Sequence, residues 1–134
     1  MLNYYAQFHH GQDVISIVDH PPEIKPGTEG RIVSPWFGSL YAVELPNGEI
    51  HRWFAWFELS PVNPMPGIPG SLTPGSYTTV ISNIGHGNPP HIAVGTVVRI
   101  VKCIPQTIFY DLMINGTEYH RWLAEFEIAA QLPR

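Results

Sequence analysis

The sequence predicts an all-β protein made of two small five-stranded modules that arose by internal duplication. Its 14 prolines and 12 glycines in 134 residues disfavour long helices and favour short strands separated by turns. Aromatic and β-branched residues are plentiful, so the chain has the apolar material for an ordered core. A segment of the first half also recurs in the second half, which indicates two copies of one fold.

The repeat is clearest at residues 51–58 and 120–127, where six of eight positions are identical. Further matches precede it in the same order: Gly27-Thr28 with Gly95-Thr96, Arg31-Ile32-Val33 with Arg99-Ile100-Val101, and Asn47-Gly48 with Asn115-Gly116. The offset between copies drifts from 64 to 69 residues, which places the insertions in loops. We therefore expect a first module at 1–62, a proline-rich linker at 63–71 and a second module at 72–134.

Each module is predicted to contain five short strands. In the first copy they are Val14–Val18, Gly30–Ser34, Tyr41–Leu45, Glu49–Trp53 and Leu59–Val62. In the second copy they are Thr79–Asn83, Val97–Lys102, Phe109–Ile114, Glu118–Leu123 and Ile128–Gln131. The third strand alternates apolar and other residues in both copies, Asn47-Gly48 predicts a hairpin, and Ala55–Glu58 predicts one 3₁₀ turn.

This pattern resembles the Src-homology-3-like barrel, in particular its bacterial and KOW-type relatives. The first copy carries the resemblance at these positions: Phe8, Gly11, Val14, Gly27, Gly30, Ile32 and Val33. The resemblance implies two tandem five-stranded barrels, and it implies nothing specific about function because a fold hosts many functions. The Ala-Leu-Tyr-Asp-Tyr motif of signalling members is missing, so their proline-binding groove is not implied.

Charge and cysteine content restrict the classes of function. The formal net charge is −4, and seven Lys and Arg residues are spread over the chain without a basic run, which disfavours nucleic acid as a partner. A single cysteine, Cys103, cannot form an intrachain disulfide. The chain lacks a signal-peptide pattern at its start and an apolar run of about 20 residues, so we expect a cytoplasmic protein without a membrane span.

Candidate binding residues fall into two groups. Trp36, Phe37 and Trp56 are aromatic in the first copy only, at expected loop and turn positions, and indicate a surface of the first barrel that binds a protein or peptide. An alternative is that they pack against the rest of the chain. Residues identical in both copies are expected to support the fold, and Trp53 with Trp122 and Phe57 with Phe126 are expected to fill the barrel ends. The repeated pairs His51-Arg52 and His120-Arg121 are expected to belong to the same scaffold, with two related binding sites as the alternative.

Catalysis, metal binding and cofactors find little support in the sequence. The seven histidines form no ligand framework of the kind that zinc sites use, and no nucleophile or phosphate-binding motif is present. Residues 30–44 resemble plasmid-type dihydrofolate reductases, but the active-site motif of that family is not matched at Glu49–Arg52 or Glu118–Arg121. We therefore expect a non-catalytic interaction module without a cofactor, with KOW-like nucleic-acid binding or a reductase as alternatives.

Overall fold

The computed structural model describes residues 6–20, 24–61, 72–86 and 92–131, so the predicted linker at 63–71 lies outside the described residues. Within these ranges the regular structure is strand and 3₁₀ turn, which confirms the all-β class. The strands are β1 (Asp13–Ser16), β2 (Glu29–Glu44), β3 (Ile50–Ala55), β4 (Leu59–Pro61), β5 (Tyr77–Val80), β6 (Val97–Ile114), β7 (Glu118–Ala124) and β8 (Ile128–Ala130). The described part of the chain contains no helix with the length and apolar character that crossing a membrane requires.

The largest difference from the prediction is that β2 and β6 are continuous. The sequence predicted a loop between the second and third strands of each copy, and the structure instead has strands of 16 and 18 residues at these places. Proline and glycine in Ser34-Pro35-Trp36-Phe37-Gly38 favoured a turn, but a proline φ near −65° is also compatible with extended backbone. Within each long strand, one residue near this place has a positive φ, Gly38 with φ +154° and Gln106 with φ +49°.

Contacts divide the chain into two compact units that do not follow the predicted modules. Unit 1 consists of Met1–Phe37 with Ile108–Arg134, and unit 2 is Gly38–Thr107. The boundaries fall inside β2 and β6, between Phe37 and Gly38 and between Thr107 and Ile108, close to the two residues of positive φ. Each unit therefore combines the first half of one copy with the second half of the other. The predicted modules, 1–62 and 72–134, are sequence repeats but are not the compact units of the structure.

The strand orders of the two units are equivalent when the strands of one copy are replaced by the corresponding strands of the other. In unit 1 the hydrogen-bonded order is β8-β1-β2-β6-β7, and in unit 2 it is β4-β5-β6-β2-β3. The registers that fix this order pair Val14 with Ala130 and with Gly30 in unit 1, and Ser60 with Thr79 in unit 2. The two 3₁₀ turns, Trp56–Glu58 and Glu125–Glu127, precede the last strand of each copy as predicted.

Each unit has a hydrophobic core to which both copies contribute. The unit 1 core contains Phe8, Val14, Ile24 and Ile32 from the first copy and Tyr110, Leu112, Ile114, Leu123 and Ile128 from the second. The unit 2 core contains Tyr41, Val43, Leu45, Phe54 and Leu59 from the first copy and Leu72, Val80, Ile92, Val98 and Ile100 from the second. Burial of one such side chain stabilises a fold by about 1.5–3 kcal/mol, so half of each core depends on the other copy.

Several side-chain expectations can be compared with the burial in each unit. Trp53 and Trp122 are buried, as predicted for scaffold residues shared by the copies. The faces predicted for the third strands are confirmed, because the alternating apolar residues of both belong to the cores. The prediction that Phe126 fills the end of a barrel is wrong, since its side chain is 59% exposed.

Candidate functional site

Unit 2 contains a buried carboxylate bonded to a buried histidine. Glu58 ends the 3₁₀ turn after β3, and the side chains of Glu58 and His86 are both fully shielded from solvent. Glu58 Oε2 lies 3.0 Å from His86 Nε2, and Glu58 Oε1 accepts a hydrogen bond from the backbone N–H of Ala55 at 3.0 Å. Both carboxylate oxygens are therefore held, which offsets the cost of removing the group from water.

His51 extends this pair toward the surface. His51 Nε2 lies 3.1 Å from His86 Nδ1, and the His51 side chain is only partly buried. The His86 ring stacks on Phe54 with 4.4 Å between ring centroids. The Glu58 carboxylate can only accept, so His86 Nε2 donates to it, and in a neutral His86 ring this leaves the lone pair of Nδ1 facing His51. The order Glu58–His86–His51 thus runs from the buried interior to a partly exposed imidazole.

Unit 1 repeats the inner part of this arrangement. His20 Nε2 lies 2.8 Å from Glu127 Oε2, and the other carboxylate oxygen, Oε1, accepts the backbone N–H of Ala124 at 2.8 Å. His120 meets His20 edge to face, with 6.0 Å between ring centroids and 90° between planes. His51 and His120, predicted as scaffold residues or as two related sites, therefore lie beside equivalent His–Glu pairs in different units.

The sequence analysis missed the inner residues of both clusters. None of His20, His86, Glu58 and Glu127 was predicted from the sequence as a binding residue. A signal was present, because the glutamates are 69 residues apart and the histidines 66, both within the offset of the repeat. The signal could not show that each histidine bonds to the glutamate of the other copy.

A second cluster in unit 1 combines aromatic rings with a guanidinium group. The Trp36 side chain is 37% exposed, and its ring packs edge to face on the buried ring of Trp122 at 5.5 Å. The guanidinium carbon of Arg121 lies 5.9 Å from the Trp36 ring centroid and 4.6 Å from that of Trp122. Both distances are within the range of cation–π attraction, so the indole and the guanidinium stabilise each other's position.

A chain of hydrogen bonds also holds the Arg121 side chain in place. Arg121 Nε donates to Tyr119 Oη at 2.9 Å, and the Tyr119 hydroxyl donates to Asp111 Oδ2. Asp111 is buried, and its other oxygen accepts the backbone N–H and the hydroxyl of Ser34 at 2.9 and 2.8 Å. Burial, followed by the hydrogen bond to Asp111, raises the pKa of Tyr119 above its usual value. Of these residues, Arg121 was a candidate from the sequence, whereas Asp111 and Tyr119 were not.

The remaining candidates lie elsewhere. Trp56, in unit 2, is 53% exposed, and a Cβ added to Gly38 would lie 2.7 Å from its indole nitrogen. Arg52, also in unit 2, lies 5.9 Å from the Trp53 ring centroid. Phe37 is partly buried and belongs to unit 1 with Trp36. The aromatic surface predicted for one barrel is therefore divided between two units, because β2 continues from one to the other.

Unit 1 also has an open cleft of about 570 Å³. Its polar lining includes Asp13, Glu29, Arg31 and Gln131, in which Arg31 pairs with Asp13 at 3.0 Å and Gln131 donates to Glu29 at 3.0 Å. These side chains are paired with one another at the surface. Among the described residues, no group of three or more His, Cys, Asp or Glu side chains could hold a metal ion.

Comparisons with known proteins give the fold. A crystal structure of the ydhK protein of Bacillus subtilis, described as a DUF1541 family protein, matches with a TM-score of 0.70 and 18% identity, covering 96% of this chain and 88% of that one. A solution structure of the ydhK C-terminal domain matches with a TM-score of 0.64 and 20% identity, over 92% and 94% of the two chains. No family model and no curated protein matches the sequence.

Proposed function

We propose that the protein is a non-catalytic interaction module that binds a protein or peptide at the cluster around Trp36 and Arg121 in unit 1. The observation that carries this proposal is the state of Trp36, whose indole is substantially exposed yet packed on Trp122 and beside a guanidinium. Tryptophan and arginine are the residues most enriched at the energetic centres of interfaces. A ring that is already held in place loses little conformational entropy when a partner covers it.

We also propose that each unit is a small Src-homology-3-like barrel, completed by strands from both copies. The strand order in each unit, the 3₁₀ turn before the last strand and the pairing of β1 with β8 support this interpretation. In this arrangement the aromatic cluster of unit 1 combines Trp36 from the first copy with Arg121 and Tyr119 from the second. Each unit thus combines the first half of one copy with the second half of the other, which we call the exchange of halves. The binding surface then depends on this exchange.

The charge distribution favours a basic partner. Unit 1 contains eight Asp and Glu against four Lys and Arg, whereas unit 2 contains three of each, so the whole net charge of −4 belongs to unit 1. A negative field increases the rate of encounter with cationic segments and opposes nucleic-acid phosphates. We therefore propose a peptide segment that carries Lys or Arg beside an apolar or aromatic residue, and we disfavour the KOW-like alternative.

Selection of peptides from a random displayed library on the full-length protein tests this function. We expect the selected peptides to bind Trp36→Ala at least 10-fold more weakly, because truncation of a central interface tryptophan costs about 2 kcal/mol or more. Trp56→Ala is the matched control, since Trp56 is also exposed but belongs to unit 2. Equal binding by Trp36→Ala and the wild type would refute the proposed site, and loss in Trp56→Ala alone would move the site to unit 2.

A further inference from the structure

We propose that Asp111 is a positioning residue of the peptide-binding site in unit 1, which acts through Tyr119 to orient Arg121 toward the partner. This inference rests on the function proposed above and extends it. Asp111 is only 2% exposed, so its carboxylate is not itself accessible to a partner. Its effect on binding must therefore pass through the side chains that it holds.

The buried carboxylate is held by donors from two side chains and one backbone group. Asp111 Oδ1 accepts the backbone N–H and the hydroxyl of Ser34 at 2.9 and 2.8 Å, and Oδ2 accepts the hydroxyl of Tyr119. A tyrosine hydroxyl that donates in this way still has lone pairs, and Tyr119 Oη accepts from Arg121 Nε at 2.9 Å. The carboxylate thus fixes the direction in which Tyr119 accepts, and with it the position of the Arg121 Nε–H.

The corresponding positions of unit 2 lack this network. Asp111 is paired directly with Arg121 across β6 and β7, and Ala42 is paired in the same way with Arg52 across β2 and β3, just after an equivalent register shift. At the positions of Asp111, Tyr119 and Ser34, unit 2 has Ala42, Ile50 and Lys102, respectively. Unit 2 still has its own core, so the fold does not require a carboxylate at this place.

The two arginines differ in the direction that the network predicts. The guanidinium carbon of Arg121 lies 4.6 Å from the ring centroid of Trp122, whereas that of Arg52 lies 5.9 Å from the ring centroid of Trp53. Arg121 is partly buried and Arg52 is exposed. A long side chain that is held before binding loses less conformational entropy when a partner arrives. The network therefore prepares Arg121, and not Arg52, for binding.

The held guanidinium fits an uncharged oxygen acceptor of the partner, such as a backbone carbonyl. The Asp111 carboxylate is linked to Arg121 through the Tyr119 hydroxyl, so the positive charge is already compensated within the site. Tyr119 takes the Nε–H, and the terminal amino groups of a guanidinium carry further N–H donors in the same plane. The partner then places an apolar residue over Trp36 and directs a neighbouring carbonyl oxygen at Arg121, while its Lys or Arg side chain remains in the negative field of unit 1.

Binding of the selected basic peptides to the full-length protein tests the proposal. We expect Asp111→Ala combined with Tyr119→Ile, which introduces the unit 2 residues, to raise Kd about 3- to 10-fold, the factor for ordering one long side chain on binding. Arg31→Ala is the matched control, because it also removes one arginine from unit 1 but breaks only a surface pair with Asp13. Its Kd should stay within about twofold of that of the wild type. Circular dichroism checks that each variant is folded.

Two further comparisons separate positioning from a role in stability or in charge. In the Arg121→Ala background, Asp111→Ala with Tyr119→Ile should change Kd by less than about twofold, because the network then has no guanidinium to orient. Arg121→Lys keeps the positive charge but loses the planar fork and the Nε–H, so it should bind nearly as weakly as Arg121→Ala.

The outcomes distinguish this inference from the proposed site itself. Where Trp36→Ala binds weakly, the positioning role is overturned by wild-type affinity in Asp111→Ala with Tyr119→Ile or in Arg121→Lys. It is also overturned by an equal loss in Arg31→Ala, or by an undiminished effect of the double change in the Arg121→Ala background. Equal binding by Trp36→Ala and the wild type would refute the site, and the positioning role with it.

Discussion

The buried pair of His20 and Glu127 connects the two copies and therefore permits a direct test of their exchange. The His20 and Glu127 side chains are 3% and 2% exposed, and they meet at 2.8 Å. Removing one partner of a buried hydrogen bond costs about 1–3 kcal/mol, and more where the group left behind is charged. We expect His20→Ala to fall near 3 kcal/mol, because Glu127 retains its bond from the Ala124 N–H. That loss is tolerable for a protein stable by about 5–15 kcal/mol.

A double-mutant cycle separates the pair from its surroundings. Urea unfolding of the wild type, His20→Ala, Glu127→Ala and the double variant should give a coupling energy of about 1–3 kcal/mol. The control cycle uses His20→Ala with Glu58→Ala, which lie in one copy but in different units. Its two effects should add within about 0.5 kcal/mol. Coupling of His20 to Glu58 instead of Glu127 would refute the exchange of halves.

Three further variants test individual parts of the structure. Gly38→Ala should destabilise by about 1–3 kcal/mol and shift the fluorescence of Trp56, because the new Cβ would lie 2.7 Å from the indole nitrogen at a positive φ; an unchanged emission spectrum would contradict this packing. Trp122→Ala should lower the free energy of unfolding by about 3–5 kcal/mol in urea denaturation, and a loss below 1 kcal/mol would exclude its role in the core. Tyr119→Phe should cost about 1–3 kcal/mol, since buried Asp111 loses a donor. The folded-state pKa of Tyr119 is raised, so its contribution is complete below the unfolded pKa of about 10 and declines as pH rises through the folded pKa; stability measured between pH 9 and 11.5 should fall less in Tyr119→Phe.

Local features of the fold could be predicted because they depend on neighbouring residues. The hairpin at Asn47-Gly48 and the 3₁₀ turns at Trp56–Glu58 and Glu125–Glu127 follow from short sequence patterns. The core faces of the third strands follow from period-two alternation. Identity in the two copies predicted the burial of Trp53 and Trp122, which is confirmed, but the same reasoning failed for Phe126, whose side chain is exposed.

The exchange of halves could not be predicted for a physical reason. Both copies have the same core positions, so the first half of either copy fits the second half of either copy. Whether the chain reverses at Pro35–Gly38 or continues across it therefore depends on which distant strand pairs with it. Local turn propensity contains no information about that pairing. The same reason limited prediction of the binding site. Trp36 and Arg121 could be identified as candidates from the sequence, but their proximity depends on β2 and β6 being continuous.

The exchange of halves is tested most directly by cutting the chain between the copies. A protease site inserted at residues 63–71 of the full-length protein allows cleavage, after which the two fragments are separated in denaturant and returned to native buffer. We expect neither fragment to fold as a monomer, and an equimolar mixture to recover the circular dichroism and NMR spectra of the intact protein, since each core needs residues of both copies. Two fragments that each fold alone as monomers, with native-like spectra, would contradict the exchange.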